Sequence, residues 1–189
     1  MKPVTFITGN LNKVKYLEKY LGHPLKHIKL DLDEIQSLDA KKIVEHKVRQ
    51  AYEIVQEPIL VEDASLEFAA LGGLPGPFIR FFVESIPLET MCTLLSGQSR
   101  KAVARTTFGY FDGTQIYFFE GKLEGEVAAS PAGENGWDWD RIFIPEGFSI
   151  TRAQMNPDEY EKTSMQLRAI ASLQEFFGST KTGNTVAKG

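Results

Sequence analysis

One cysteine, three histidines and two tryptophans are all that this 189-residue chain offers of those types. The single thiol, Cys92, excludes an internal disulfide and a cysteine-held zinc site; between Met91 and Thr93 it reads as a small core residue. That cysteine usage suits a reducing compartment. His23, His27 and His46 are scattered and read as surface or edge residues, so no Ser-His-Asp arrangement is suggested. An excess of basic charge is also lacking: 21 Lys and Arg stand against 25 Asp and Glu, a net charge of -4. Sequence-independent duplex binding needs a basic face, so no nucleic-acid partner is expected. A local basic pocket for one phosphorylated small molecule remains allowed. No apolar run approaches the ~18 residues of a membrane helix. Met1-Lys2-Pro3 leads into a short strand-like run rather than the apolar core of a signal peptide. The expectation is a cytoplasmic protein without a membrane partner. Repeats, low-complexity segments and linkers are absent before residue 178. We therefore expect one domain over 1–178 and a polar, disordered tail over 179–189.

What is present is the pattern of a mixed α/β fold. Val4 to Ile7 is a buried-strand run, broken by Thr8-Gly9-Asn10 and followed by Val14, Leu17 and Leu21 at helical spacing, with Gly22 as a stop. A second strand is predicted over 25–30 and a long helix over 39–56, carrying Ile43, Val44, Val48, Ala51 and Val55. Ile59-Leu60-Val61 reads as a strand closed by Glu62-Asp63. Gly72 to Pro77 is a constrained loop, because glycine permits unusual dihedrals while proline fixes φ. Short helices are predicted within 78–85 and 88–96. Runs at 102–111 and 115–119 are joined through Asp112-Gly113, a two-residue hairpin signal, with a further antiparallel strand over 122–128. Asn156, Pro157 and Glu159 open a last helix that Gly178 should stop.

Three constellations bear on chemistry. Thr8-Gly9-Asn10-Leu11-Asn12-Lys13 lies between strand and helix, where free N–H groups and the helix dipole attract anions. It is not a Walker A loop, and it fits either a phosphate cradle or a capped turn with a solvated lysine. Glu62-Asp63 and the group Asp31, Asp33 and Glu34 each follow a predicted strand, where ligands gather in open α/β sheets. Carboxylates brought together there suit Mg²⁺, which bridges carboxylates to substrate phosphates; two solvated loop ends would look the same. Gly136-Trp137-Asp138-Trp139-Asp140-Arg141 holds both tryptophans among carboxylates. An indole face can stack on a nucleobase, or both indoles can serve packing.

Together these motifs resemble the inosine triphosphate pyrophosphatase family. The resemblance runs from Phe6 to about Phe177. Phe6 to Lys13 is similar to its T-G-N-x-x-K opening, Asp33-Glu34-Ile35-Gln36 to its D/P-E-I/Y-Q turn, and Val61 to Leu66 to its E/D-D-[ST]-x-L segment. Gly72 to Phe78 is similar to G-G-x-P-G-x-Y, and Gly136 to Gly147 aligns without gaps on G-F-G-Y-D-P-I-F-I-P-E-G. The resemblance implies an elongated mixed sheet flanked by helices, two lobes around a nucleotide cleft, a homodimer, and Mg²⁺. It implies hydrolysis of a nucleoside triphosphate to the monophosphate and pyrophosphate. Thr8, Asn10 and Lys13 would hold the phosphates, Glu34 and Asp63 (with Glu62 beside them) the metal, and Asp63 would act as general base. Asp63, Lys13 and Glu62 form the implied catalytic set. Trp139 would stack on the base and Asp140 contact its edge, while Gly9, Ala64, Trp137, Ser164 and Gln166 complete the substrate-binding set.

The chain also departs from that family. Its E-K-N-x-x-S-H-R helix becomes Glu159-Tyr160-Glu161 with Ser164-Met165-Gln166, which loses the family's Lys, His and Arg. Ala64 replaces a hydroxyl residue, and Asp138 and Arg141 replace Gly and Pro. Lys162, Arg168, Arg152 and Arg80 are the available cations for a replacement. Three readings follow: an inosine- or xanthosine-type pyrophosphatase, the same reaction on another nucleotide, or a catalytically silent nucleotide-binding module.

Overall fold

The computed structural model describes residues 3–23 and 25–182; residues 183–189 of the expected tail lie outside the described residues. The mixed α/β fold is borne out. A seven-stranded sheet has the order β2-β1-β3-β5-β6-β7, with β4 (Pro75–Gly76) added to β3. β1 (Val4–Ile7) pairs in parallel with β2 (Leu25–Ile28) and with β3 (Ile59–Phe68). β5 (Lys101–Phe111), β6 (Ile116–Val127) and β7 (Phe143–Pro145) extend the sheet antiparallel from β3.

Helices cover both faces of the near half of this sheet. On one face, α1 (Leu11–Leu21) and α6 (Met165–Thr182) bury Leu17, Ile170 and Leu173 against Leu60, Phe108 and Phe119. On the other, α2 (Ala40–Val55) buries Val44, Val48 and Ala51 against Ile59, Val61 and Phe111. The far half packs α3 (Ile79–Ser85) and α4 (Leu88–Thr93) around Leu66, Phe68, Met91 and Phe143. Two glycines set the close approaches: a Cβ on Gly109 would strike Val44, and one on Gly121 would strike the Met165 backbone. No helix among the described residues is long and apolar enough to cross a membrane.

Four local expectations are corrected. β3 does not close at Glu62-Asp63; it runs on to Phe68, because β5 pairs with it from Ile59 through Phe68 and supplies the ladder that the short β1 cannot. The two runs after the hairpin form one strand, β6. The hairpin loop has four residues, Asp112 to Gln115, in which Asp112 Oδ1 accepts the N–H groups of Thr114 and Gln115 at 2.8 Å each. The last helix is two helices, α5 (Pro157–Lys162) and α6, and α6 runs through Gly178 to Thr182. The break falls at Thr163-Ser164: Arg152 takes the Thr163 carbonyl, and Ser164 Oγ accepts the Leu167 N–H at 3.2 Å as a cap.

Candidate active site

β1 stops at Ile7 while β3 continues past it, so the turn from Thr8 to Lys13 lies beside residues that β1 no longer covers. Asn10 caps α1: its Oδ1 accepts from Asn12 N at 2.9 Å and Lys13 N at 3.4 Å, and Thr8 Oγ1 accepts from Asn10 N at 3.1 Å. Polar side chains compete with the backbone here and fix the helix start. The turn is thus capped and also open at a helix N-terminus, the geometry that binds anions. Gly9 lies in this turn beside the Lys29 stem, at ordinary contact distance.

Successive strand residues point to opposite faces. Glu62 follows Leu60 onto the α1/α6 side, and Asp63 follows Val61 onto the α2 side. Lys13 Nζ lies 3.4 Å from Glu62 Oε2, and Gln166 Nε2 donates to Glu62 Oε1 at 2.9 Å. On the opposite face, Lys47 Nζ lies 2.6 Å from Glu34 Oε1 and 3.2 Å from Asp63 Oδ1. The two predicted metal ligands are therefore brought together, and they share one ammonium. Glu62 is not the third member of that pair, because the strand's period of two turns it to the other side.

Lys47 was not foreseen from the sequence, although a signal existed. It follows Ile43 by four residues and Val44 by three, so it sits on the apolar stripe of α2, where a charge needs a partner. Burial acts to lower its ionisation, but Asp63 and Glu34 together outweigh burial and the net shift is upward. At Asp63, burial pushes the carboxyl up and outweighs the opposing pull of Lys47 and Lys13, with Glu34 adding to the rise. A carboxylate raised in this way is a stronger base than an ordinary one.

The donor set fits a hard divalent cation. Asp63 Oδ2 is buried without a hydrogen-bond partner, and both converging side chains offer oxygen. Among the described residues no group of three His, Cys, Asp or Glu forms a closed metal site. The protein would supply two ligands, with substrate oxygens and water completing the shell.

The tryptophan segment differs from expectation. Trp139 is buried, packed edge-on to Phe143 at 6.1 Å within the far core, whereas Trp137 is half-buried. Trp137 is the more exposed of the two indoles. Asp140 is fully buried, and its oxygens are occupied: Oδ1 accepts Arg152 Nε at 2.8 Å, while Oδ2 accepts Trp137 N at 2.7 Å and the Tyr160 hydroxyl at 2.6 Å. Ser164 is buried and bonded to the Tyr16 hydroxyl at 2.8 Å. Met165 is a core residue, and Ala64 sits in β3 opposite Thr106. Two cavities, of about 720 and 590 Å³, open on the sheet face near Glu67, Gly73, Arg105 and Glu126, and none of the predicted site residues lines either one.

A model of the Ham1 family matches residues 4–176. The chain belongs to the Ham1 family. Inosine triphosphate pyrophosphatase 2 of Trypanosoma cruzi (strain CL Brener) is 40% identical over 179 residues, covering 92% of this chain and 91% of that protein. Inosine triphosphate pyrophosphatase of Batrachochytrium dendrobatidis (strain JAM81 / FGSC 10211) is 38% identical over 184 residues, covering 95% of this chain and 96% of that protein. A HAM1 protein from Coxiella burnetii shares the fold, with a TM-score of 0.84 at 22% identity, covering 95% of this chain and 100% of that one. The Staphylococcus aureus Ham1 protein does likewise, with a TM-score of 0.83 at 22% identity and the same coverage.

Proposed function

We propose that this Ham1 protein is a hydrolase that cleaves inosine- and xanthosine-type nucleoside triphosphates, including the deoxy forms, to the monophosphate and pyrophosphate. The observation that carries the reading is the pairing of a partly buried Asp63, whose Oδ2 has no hydrogen-bond partner, with Glu34 across Lys47, with Lys13 near enough for its charge to act on Asp63. The two pyrophosphatases to which the chain is similar over nine-tenths of its length support it.

The mechanism follows from the residues. The N-terminus of α1 and the Lys13 ammonium receive the triphosphate, and Lys47 adds a second positive charge on the opposite side of β3. Asp63 takes a proton from water as the water oxygen bonds to the α-phosphorus. The bond between that phosphorus and the α,β-bridging oxygen breaks, and pyrophosphate leaves. Positive groups placed in advance where charge develops lower the barrier. We propose Mg²⁺ as cofactor, held by Glu34 and Asp63; when bound, it supplies neutralisation of phosphate charge and a more acidic water. Trp137 is the proposed base platform. We propose that it works as a homodimer in the cytoplasm.

A second reading, the same reaction on another base, is favoured by one observation: Gln166, which stands where the family has Arg, is turned to Glu62. A panel of ITP, XTP, GTP and ATP with Mg²⁺, with pyrophosphate and monophosphate both measured, separates the readings. Pyrophosphate from ITP and XTP with little from ATP or GTP is expected. Turnover confined to another base favours the second reading, and saturable binding without turnover means a silent module.

A further inference from the structure

Four cations were open to replace the family's lost helix donors. Arg80 is exposed and paired with Glu84, Lys162 is exposed, and Arg168 is exposed and donates to the Lys122 carbonyl. Arg152 alone among them is buried, 2% exposed at its side chain, and it faces an Asp140 that is fully covered. Burying both charges carries a desolvation cost that their attraction repays only when hydrogen bonding is complete. Here it is nearly so. Besides Asp140, the guanidinium donates to the Thr163 carbonyl and to Thr163 Oγ1, and it lies 4.1 Å from the centroid of the Tyr160 ring.

The other side of Asp140 holds the turn that presents Trp137. Asp140 Oδ2 takes the Trp137 N–H and the Tyr160 hydroxyl. Gly136, at φ +79, wraps so tightly around this carboxylate that a Cβ there would strike Asp140 Oδ2 and the Tyr160 ring. Arg152 therefore joins three pieces: the indole turn, α5 through Tyr160, and the break at Thr163 that leads into α6. From that break the chain leads to Gln166, Glu62 and Lys13. A buried hydrogen-bond network of this kind rigidifies the segments that it joins.

We propose that Arg152 is a positioning residue for nucleotide recognition: from the turn before α5, it anchors Asp140 and thereby sets the Trp137 indole relative to the phosphate end of the site. This rests on the functional reading above. Arg152 is enclosed, with Nε on Asp140 and Nη1 on Thr163, so it acts through Asp140 and not on the substrate.

The test compares wild type with Arg152→Gln, Arg152→Lys and Tyr160→Phe, measuring kcat and KM for ITP, inhibition by inorganic tripolyphosphate, and thermal unfolding. Tripolyphosphate has no base and reports the phosphate end alone. Arg152→Gln and Tyr160→Phe are each expected to raise KM for ITP about tenfold with kcat changed less than about threefold, as loss of uniform binding does. Tripolyphosphate inhibition should stay at the wild-type value, and Arg152→Lys should recover part of the KM. If Arg152→Gln does not fold, Tyr160→Phe, which removes one hydroxyl, decides. An unchanged KM for ITP in folded variants, or equal losses for ITP and tripolyphosphate, would mean a purely structural network and overturn the proposal alone. If wild type released no pyrophosphate from any nucleoside triphosphate, the functional reading would fall and this inference with it.

Discussion

Lys47 Nζ stands 3.2 Å from Asp63 Oδ1 and closes an ion pair between α2 and β3, with Glu34 at 2.6 Å on its other side. Replacing it by Met removes a cation from the site and leaves two carboxylates facing each other without their shared ammonium. We predict that Lys47→Met lowers kcat/KM for ITP by at least about 10²-fold, the usual loss for one preorganised charge donor. The fold should weaken as well, by roughly 3–5 kcal/mol, because a buried charge loses its partner. Wild-type turnover by a folded Lys47→Met protein would remove this lysine from the mechanism.

Asp63 carries the proton transfer in the proposed reaction. Asp63→Asn keeps the side-chain shape and ends its use as a base, so activity should drop by about 10²–10⁴-fold. Far-ultraviolet circular dichroism should match wild type. Pyrophosphate release at the normal rate would show that another group takes the proton.

The two indoles should separate cleanly. Trp137→Ala removes the more exposed indole and should raise KM for ITP with little change in kcat; stacking of ~1–3 kcal/mol corresponds to about 5- to 150-fold. Trp139→Ala empties a packed position beside Phe143 and should cost about 3–5 kcal/mol of stability in chemical denaturation. A stable Trp139→Ala protein with raised KM, paired with an unaffected Trp137→Ala, would return the base platform to Trp139.

Tyr160 gives a pH prediction. Burial first, and then the Asp140 carboxylate it donates to, push its phenol well above the ordinary value of 10.0. The folded state therefore keeps the proton that the unfolded chain releases. This contribution to stability is present in full below pH 10 and is lost as pH rises from there toward the folded-state value. Wild type should lose stability more steeply than Tyr160→Phe between about pH 10 and pH 12, read from urea midpoints. Parallel curves for the two proteins would mean that the phenol ionises equally in both states.

Local signals were legible wherever the chain answers to its neighbours. The Thr8–Lys13 turn could be read because Asn10 caps the helix that follows it. The capping box at Asn156 and Glu159 could be read in the same way. The end of β3 could not, because its last residues are strand by virtue of β5, some forty residues away, and of the short β4. Glu62 and Asp63 looked like one acidic pair; in an extended strand they are neighbours in sequence that face opposite layers.

The order of the elements, the mixed α/β class, the capped turn before α1 and the acidic positions were determined by the sequence itself, because caps, glycine turns and apolar periodicity act over a few residues. Which side chains share a site was decided only by the tertiary structure. Lys47 meets Asp63, Arg152 meets Asp140, and one indole is buried while the other is left half-buried because packing sets burial across distant segments, and burial determines whether a charge must find a partner.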